Sequence, residues 1–281
     1  MRHVLPLLLT IGCTAPSAHD DDTDAASGAA TEWVGAMDVL DFARATPDGV
    51  ARGFDLDGVD GACGFNDYVD PDGRPGIDNV FATLLPLMEQ VGGAAFEDLI
   101  QGTVDSGEFL LVVRVRQKGT ECAGLDVFRA SEPPLVGADG HLLTGQTLPV
   151  RDGGPLLTTE CATYEDEHTV VARGLSLPLS LSIFQVPIHL TLELASLRIH
   201  LNDDGTGSGE AGGAISVDDL WSQIGDVGGI GTQLLGVLET VLFQKADISL
   251  DGGATCTHMS ATLAFEAQTV FIYEGVDAQA P

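Results

Sequence analysis

The residues best suited to chemistry lie in one stretch, FDLDGVDGACGFNDYVDPDGRPGIDN, residues 54–79, which holds seven aspartates and two asparagines among short glycine turns. Folding Asp55, Asp57, Asp60, Asp67, Asp70, Asp72 and Asp78 into one compact loop sets like charges close together. Two bare carboxylates about 4 Å apart repel by about 1 kcal/mol even in a water-like dielectric. A hard divalent cation removes that cost, because calcium takes about six to eight oxygen ligands from carboxylates, amides and carbonyls. Asp55, Asp57, Asp60, Asp70, Asp72 and Asp78 are therefore the expected metal ligands, with Ca2+ as the expected cofactor. The plainer alternative is a solvated acidic turn in which Asp and Asn bond nearby backbone amides.

The spacing excludes an EF-hand, which needs glycine at the sixth loop position and glutamate at the twelfth. Counting from Asp55 puts Asp60 and Asn66 there, and counting from Asp70 puts Pro75 and Phe81 there. What remains, D-x-D-G-x-D followed by D-P-D-G-x-P-G-x-D-N, resembles the Asp/Gly-rich calcium loops of thrombospondin type 3 repeats. The resemblance implies an extracellular calcium loop.

Other chemistry is thinner. Gly207-Ser208-Gly209-Glu210-Ala211-Gly212 satisfies G-x-G-x-x-G, but the dinucleotide fingerprint needs a parallel βαβ unit, and its flanks here read as antiparallel; a glycine-rich connecting loop is expected. His168 follows three acidic residues, and His189, Glu193 and His200 lie on or near strands. One-sided strands of that kind put their polar face in water. With no G-x-S-x-G, H-E-x-x-H or P-loop, no enzyme is expected; the enzymatic alternative is a metal-dependent hydrolase using the acidic loop's ion to activate water.

Composition sets the compartment and the partners. The chain has 281 residues, 44% of them hydrophobic, and a net charge of −30. That is enough apolar material for a large core, and the charge repels nucleic acid and anionic membrane surfaces. The N-terminus, MRHVLPLLLTIGC, places Arg2 before an apolar run and Thr10-Ile11-Gly12 before Cys13. It resembles the signal peptide and lipobox of bacterial lipoproteins, which implies lipidation of Cys13 and a membrane anchor. Thr14 in place of aspartate is similar to lipoproteins sent to an outer membrane. A lipobox followed by FDLDG...CG...PDGRPGIDN also resembles uncharacterised exported lipoproteins of the myxobacterial type. Cys63, Cys122, Cys161 and Cys256 then remain, an even number suited to two disulfides outside the cytoplasm. Sequence alone allows three connectivities; the expected one joins Cys63 to Cys122 and Cys161 to Cys256.

The elements that must position the loop follow from periodicity. Residues 1–12 read as signal peptide, 13–30 as a flexible acidic tether, and 31–281 as one β-rich domain. Within it, 31–107 carries the acidic loop and helices, including VFATLLPLMEQV from Val80 and a short helix over 94–101. Residues 108–281 read as antiparallel β with a helical insertion at 216–244, and 277–281 as a tail. EFLLVVRVRQ and GLDVFRA form a hairpin. Leu175, Leu177, Leu179, Leu181 and Ile183 alternate with polar residues, as do Ile188, Leu190, Leu192 and Leu194; the phase then slips near Ala195, which predicts a bulge. Ser216, with Asp219 three residues on, caps a helix, and 232–244 forms another. The fold class is α+β, mainly β: an antiparallel sheet or sandwich with two to four helices packed on it. The leading reading is a non-enzymatic, membrane-anchored lipoprotein domain of the outer membrane with a calcium site. A carrier of lipid or another small apolar ligand is the alternative, its strands curling around the stripe of helix 232–244.

Overall fold

The computed structural model describes residues 32–86, 95–117, 119–151, 154–183, 186–224 and 232–274. The expected signal peptide over 1–12, the expected lipidated Cys13 and tether over 13–30, the second half of the helix expected from Val80, and the expected tail over 277–281 lie outside the described residues.

Eight strands close into one antiparallel barrel. They are β1 (Glu32–Phe42), β2 (Leu111–Gln117), β3 (Cys122–Arg129), β5 (Leu157–Tyr164), β6 (Thr169–Ile183), β7 (Val186–Leu201), β8 (Gly207–Ser216) and β9 (His258–Thr269). Each pairs with the next in chain order, and β9 returns to pair with β1. The sheet is thus mainly β and antiparallel as the alternation required, but it is a single closed layer and not a sandwich. Closure removes the two sheet edges that a sandwich would leave exposed. It also joins the expected halves of the domain, because β1 seals the barrel against both β2 and β9. Two short strands outside the barrel, β4 (Thr147–Pro149) and β10 (Phe271–Tyr273), pair in parallel.

Alternation sorts the side chains. Met37, Leu111, Val127, Leu177, Leu192 and Leu197 point inward, and a small pocket of about 30 Å³ lies between them. On the other face of the sheet the charged residues pair with one another: Asp126, 2% exposed, receives Arg114 and Arg116, and Arg198 bridges Glu165 and Glu210. No described helix is long and apolar enough to cross a membrane.

The slip at Ala195 is a register shift between Glu193 and Ser196 against β8, with Leu194 at φ 52°. The segment 207–212, expected as a loop, is instead the first part of β8. Its glycines are there because large neighbours occupy the space a Cβ would need. Trp33 lies over Gly35 and Gly207, Phe265 and the Arg198 carbonyl over Gly209, and Phe54 over Gly212.

The helices are α1 (Ala95–Asp105), α2 (Val217–Ile224) and α3 (Thr232–Gln244). The first is longer than the sequence implied and is tied to β1, where Gln101 accepts from Leu40 N and donates to the Asp38 carbonyl. The second starts as expected, with Ser216 Oγ accepting from Asp219 N at 3.2 Å. Residues Val80–Thr83 form only a 3-10 turn.

Candidate metal centre

The acidic loop is fastened to the outside of β8 and β9 at both ends. At its start Phe54, 1% exposed, lies against Gly212 and under the guanidinium groups of Arg198 and Arg173, 5.0 and 5.5 Å from the ring centre. At its end Asn79 donates to the Ala43 carbonyl at 2.9 Å, and Val80 N donates to Ser260 Oγ at 2.8 Å. Between them the chain doubles back: Asp78 N donates to the Phe54 carbonyl, and Tyr68 and Ile77 exchange backbone bonds, all at 2.9 Å. Cys63 is bonded to Cys256, just before β9, and Cys122 to Cys161 across the β3–β5 pair. All four cysteines are paired, but the connectivity differs from the one expected. The reason is barrel closure, which puts β9 beside the acidic loop although 193 positions separate the two cysteines.

Three of the expected ligands converge. Asp55, Asp57 and Asp78 each place a carboxylate oxygen within 4.8 Å of the others. Asp55 is exposed, Asp57 half-buried and Asp78 only 4% exposed. Each gives one oxygen to a backbone N–H: Gly58 to Asp55 at 2.8 Å, Val59 to Asp57 at 2.9 Å, and Leu56 to Asp78 at 2.7 Å. The first two are the local Asx bonds of an acidic turn, the third ties Asp78 to the limb of the loop 22 positions earlier, and together they fix the three side chains. The second oxygen of each has no hydrogen-bond partner among the described residues.

The electrostatics are those of a site short of positive charge. Burial first, then Asp57, Asp67 and Asp247, push the Asp78 carboxyl up to about 8 against the opposing bond from Leu56 N. Asp67 is raised by burial and by Asp60 and Asp57, against a bond from Gly61 N. Asp247, 5% exposed, is pushed by burial to about 6 although Ser260 donates to it from both N and Oγ.

The other three expected ligands do not join the cluster. Asp60 is exposed and lies beside Asp67. Asp70 is buried but belongs to Arg74: it accepts from Asp72 N at 2.9 Å and Arg74 N at 2.7 Å, and the guanidinium pairs with its second oxygen. Burial raises the Asp70 pKa, but the bonds and charge of Arg74 outweigh it and the net shift is downward. Asp72 is exposed and also faces Arg74, at 3.2 Å. The D-P-D-G-R half of the motif therefore closes on its own arginine, which supplies internally the charge a cation would have supplied.

Two acids escaped the sequence reading. Asp247 sits in ADISL, where a short strand was expected, and its only signal was an acid in an apolar run. Asp38 is fully buried at the bulge of β1; its oxygens accept from Leu142 N and meet His141 Nδ1, both at 2.8 Å. The histidines weighed for catalysis serve hydroxyl groups: His189 Nδ1 is 2.9 Å from Ser180 Oγ, and His200 Nδ1 is 2.9 Å from Thr169 Oγ1. Among the described residues no histidine joins the acidic cluster. The G-x-G-x-x-G segment lies between two antiparallel neighbours and does not open a helix towards a phosphate.

The donors fit a hard cation. Three carboxylates on one loop are hard oxygen donors of the kind calcium takes, and among the described residues no nitrogen or sulfur donor joins them, which disfavours zinc or copper. Comparison with protein-family models, curated proteins and solved structures found no match for this chain.

Proposed function

We propose that this is an exported, lipid-anchored barrel domain whose acidic loop binds calcium as a structural ion, with no catalytic role. The observation that carries the reading is Asp78, 4% exposed, its carboxylate turned towards Asp55 and Asp57 and its pKa raised by burial and by the neighbouring Asp57, Asp67 and Asp247. An ion there would neutralise the cluster and draw the 54–60 and 77–79 limbs of the loop together. Export is supported by the four cysteines, paired as disulfides that persist outside the cytoplasm. The anchor is supported by the lipobox-like segment ending at Cys13. The pocket between the inward leucines, about 30 Å³, is small for an acyl chain, and among the described residues no histidine joins the carboxylates, so neither the carrier nor the hydrolase alternative has an observation in its favour.

The test is thermal unfolding with calcium and after chelation. An ion bound only to the native state at 100 times its dissociation constant should add about 2.7 kcal/mol, or roughly 5–10 °C for a domain of this size. Magnesium, which keeps its waters and demands tighter octahedral geometry, should do much less. Identical melting with calcium and with chelator would leave only a self-bonded acidic turn.

A further inference from the structure

Most exposed apolar side chains of the described residues gather in one place. Of the nine large ones, five are Leu135, Val136, Leu143, Phe271 and Tyr273, between 37 and 63% exposed with the others of that set. The backbone makes them one surface. Leu143 N donates to the Leu135 carbonyl at 2.9 Å, the Gln146 amide donates to both the Leu135 and Leu143 carbonyls, and Phe271 N donates to the Gln146 carbonyl at 2.8 Å. Phe271 and Tyr273 alternate with Ile272, which packs on the core, so both rings face away from it.

The chain enters the domain at the same place. Val270 N donates to the Val34 carbonyl at 3.0 Å, so the start of β1, two residues earlier at Glu32, lies beside the start of β10. Nineteen positions separate Glu32 from Cys13, so chain length alone allows at most about 65 Å between them. A membrane holding Cys13 is therefore within reach of this surface.

We propose that Leu135, Leu143, Phe271 and Tyr273 form a face that docks on the lipid surface to which the chain is anchored; this rests on the lipid-anchored reading of Cys13. Charge chooses the occupant. A second copy would bring together two chains of net charge −30 each, and an anionic surface would be repelled as well. A zwitterionic lipid surface presents no net charge to oppose contact. Aromatic rings with apolar neighbours are the side chains that settle at the membrane–water boundary. The anchor supplies residence on the membrane and the face supplies orientation, since one lipid chain alone binds weakly and reversibly.

The test uses the full chain purified from membranes and placed on phosphatidylcholine vesicles, with and without nitroxide-labelled lipid. Emission added by Phe271→Trp, after subtraction of the unsubstituted protein, should shift to the blue on vesicles and be lost to the nitroxide. Val59→Trp, in the acidic loop, should show neither change. Adding Leu135→Ser and Leu143→Ser to Phe271→Trp should weaken the contact by about tenfold or more and restore emission, while the lipid keeps the protein on the vesicles. Unquenched Phe271→Trp in protein that sediments with vesicles would overturn the docking face and leave the anchor standing. If intact mass shows no lipid on Cys13, the anchor reading fails; docking then survives only if vesicles still quench Phe271→Trp, and falls if they do not. A blue shift that grows with protein concentration without vesicles would assign the face to a second copy and overturn the lipid proposal.

Discussion

Replacing Asp78 with asparagine should stabilise the calcium-free protein and abolish its response to calcium. The carboxyl is held at about 8 against an ordinary 3.8. Because the folded value is the higher, the folded protein keeps this proton where the unfolded chain has already released it. The contribution to stability is therefore greatest below about pH 4, falls as pH rises towards 8, and stays low above that. At about 1.4 kcal/mol per pH unit, ionising Asp78 in the metal-free fold costs about 6 kcal/mol. Asp78→Asn keeps an oxygen to accept from Leu56 N and cannot ionise, so by urea unfolding in chelator it should gain most of that amount at pH 9 and little at pH 4. Calcium should compensate the native carboxylate instead, releasing about one proton per ion bound at pH 7. A variant that still gains stability from calcium, or a native protein whose stability in chelator does not fall between pH 4 and pH 8, would refute the reasoning.

Other parts of the structure give smaller tests. Phe54→Ala should cost about 3–5 kcal/mol and weaken calcium binding, because Phe54 fixes the loop between Gly212 and two guanidinium groups; unfolding and titration of the same variant check both. Gly209→Ala should destabilise by about 1–3 kcal/mol through overpacking, since its methyl would meet the Arg198 carbonyl and Phe265. The hydrogen bond and charge of Asp38 raise the His141 pKa, so its stabilising contact is complete below the ordinary value of 6.5 and lost as pH rises through the folded value; Asp38→Asn should move the midpoint of the His141 NMR titration down towards the ordinary value. Peptide mapping should recover Cys63–Cys256 and Cys122–Cys161, and opening the second, with its separation of 39, should cost about 4 kcal/mol.

Local signals survived into the fold where one side of one element decided them. The alternation from Leu175 onward became β6 and β7, its slip became the shift at Leu194, and Ser216 caps α2. Features that depend on partners far along the chain were hidden. Glycines from Gly207 to Gly213 disfavour a strand by local preference, and only the bulk of Trp33, Phe54 and Phe265 makes them the residues that fit. Barrel closure by β1 and β9 leaves no mark in either strand, so the disulfide partners and the single-layer form were not legible. In the acidic loop the composition was informative, but the division of labour was not: Arg74 takes Asp70 and Asp72, while buried Asp78 and Asp247 depend on how the loop seats on β9.

The central claim is that Asp55, Asp57 and Asp78 share one calcium ion, and anomalous diffraction from crystals grown with calcium tests it most directly. The account predicts one peak about 2.3–2.6 Å from a carboxylate oxygen of all three, absent in Asp78→Asn crystals. No peak within reach of those oxygens, at a calcium concentration that saturates any binding seen in solution, would contradict it.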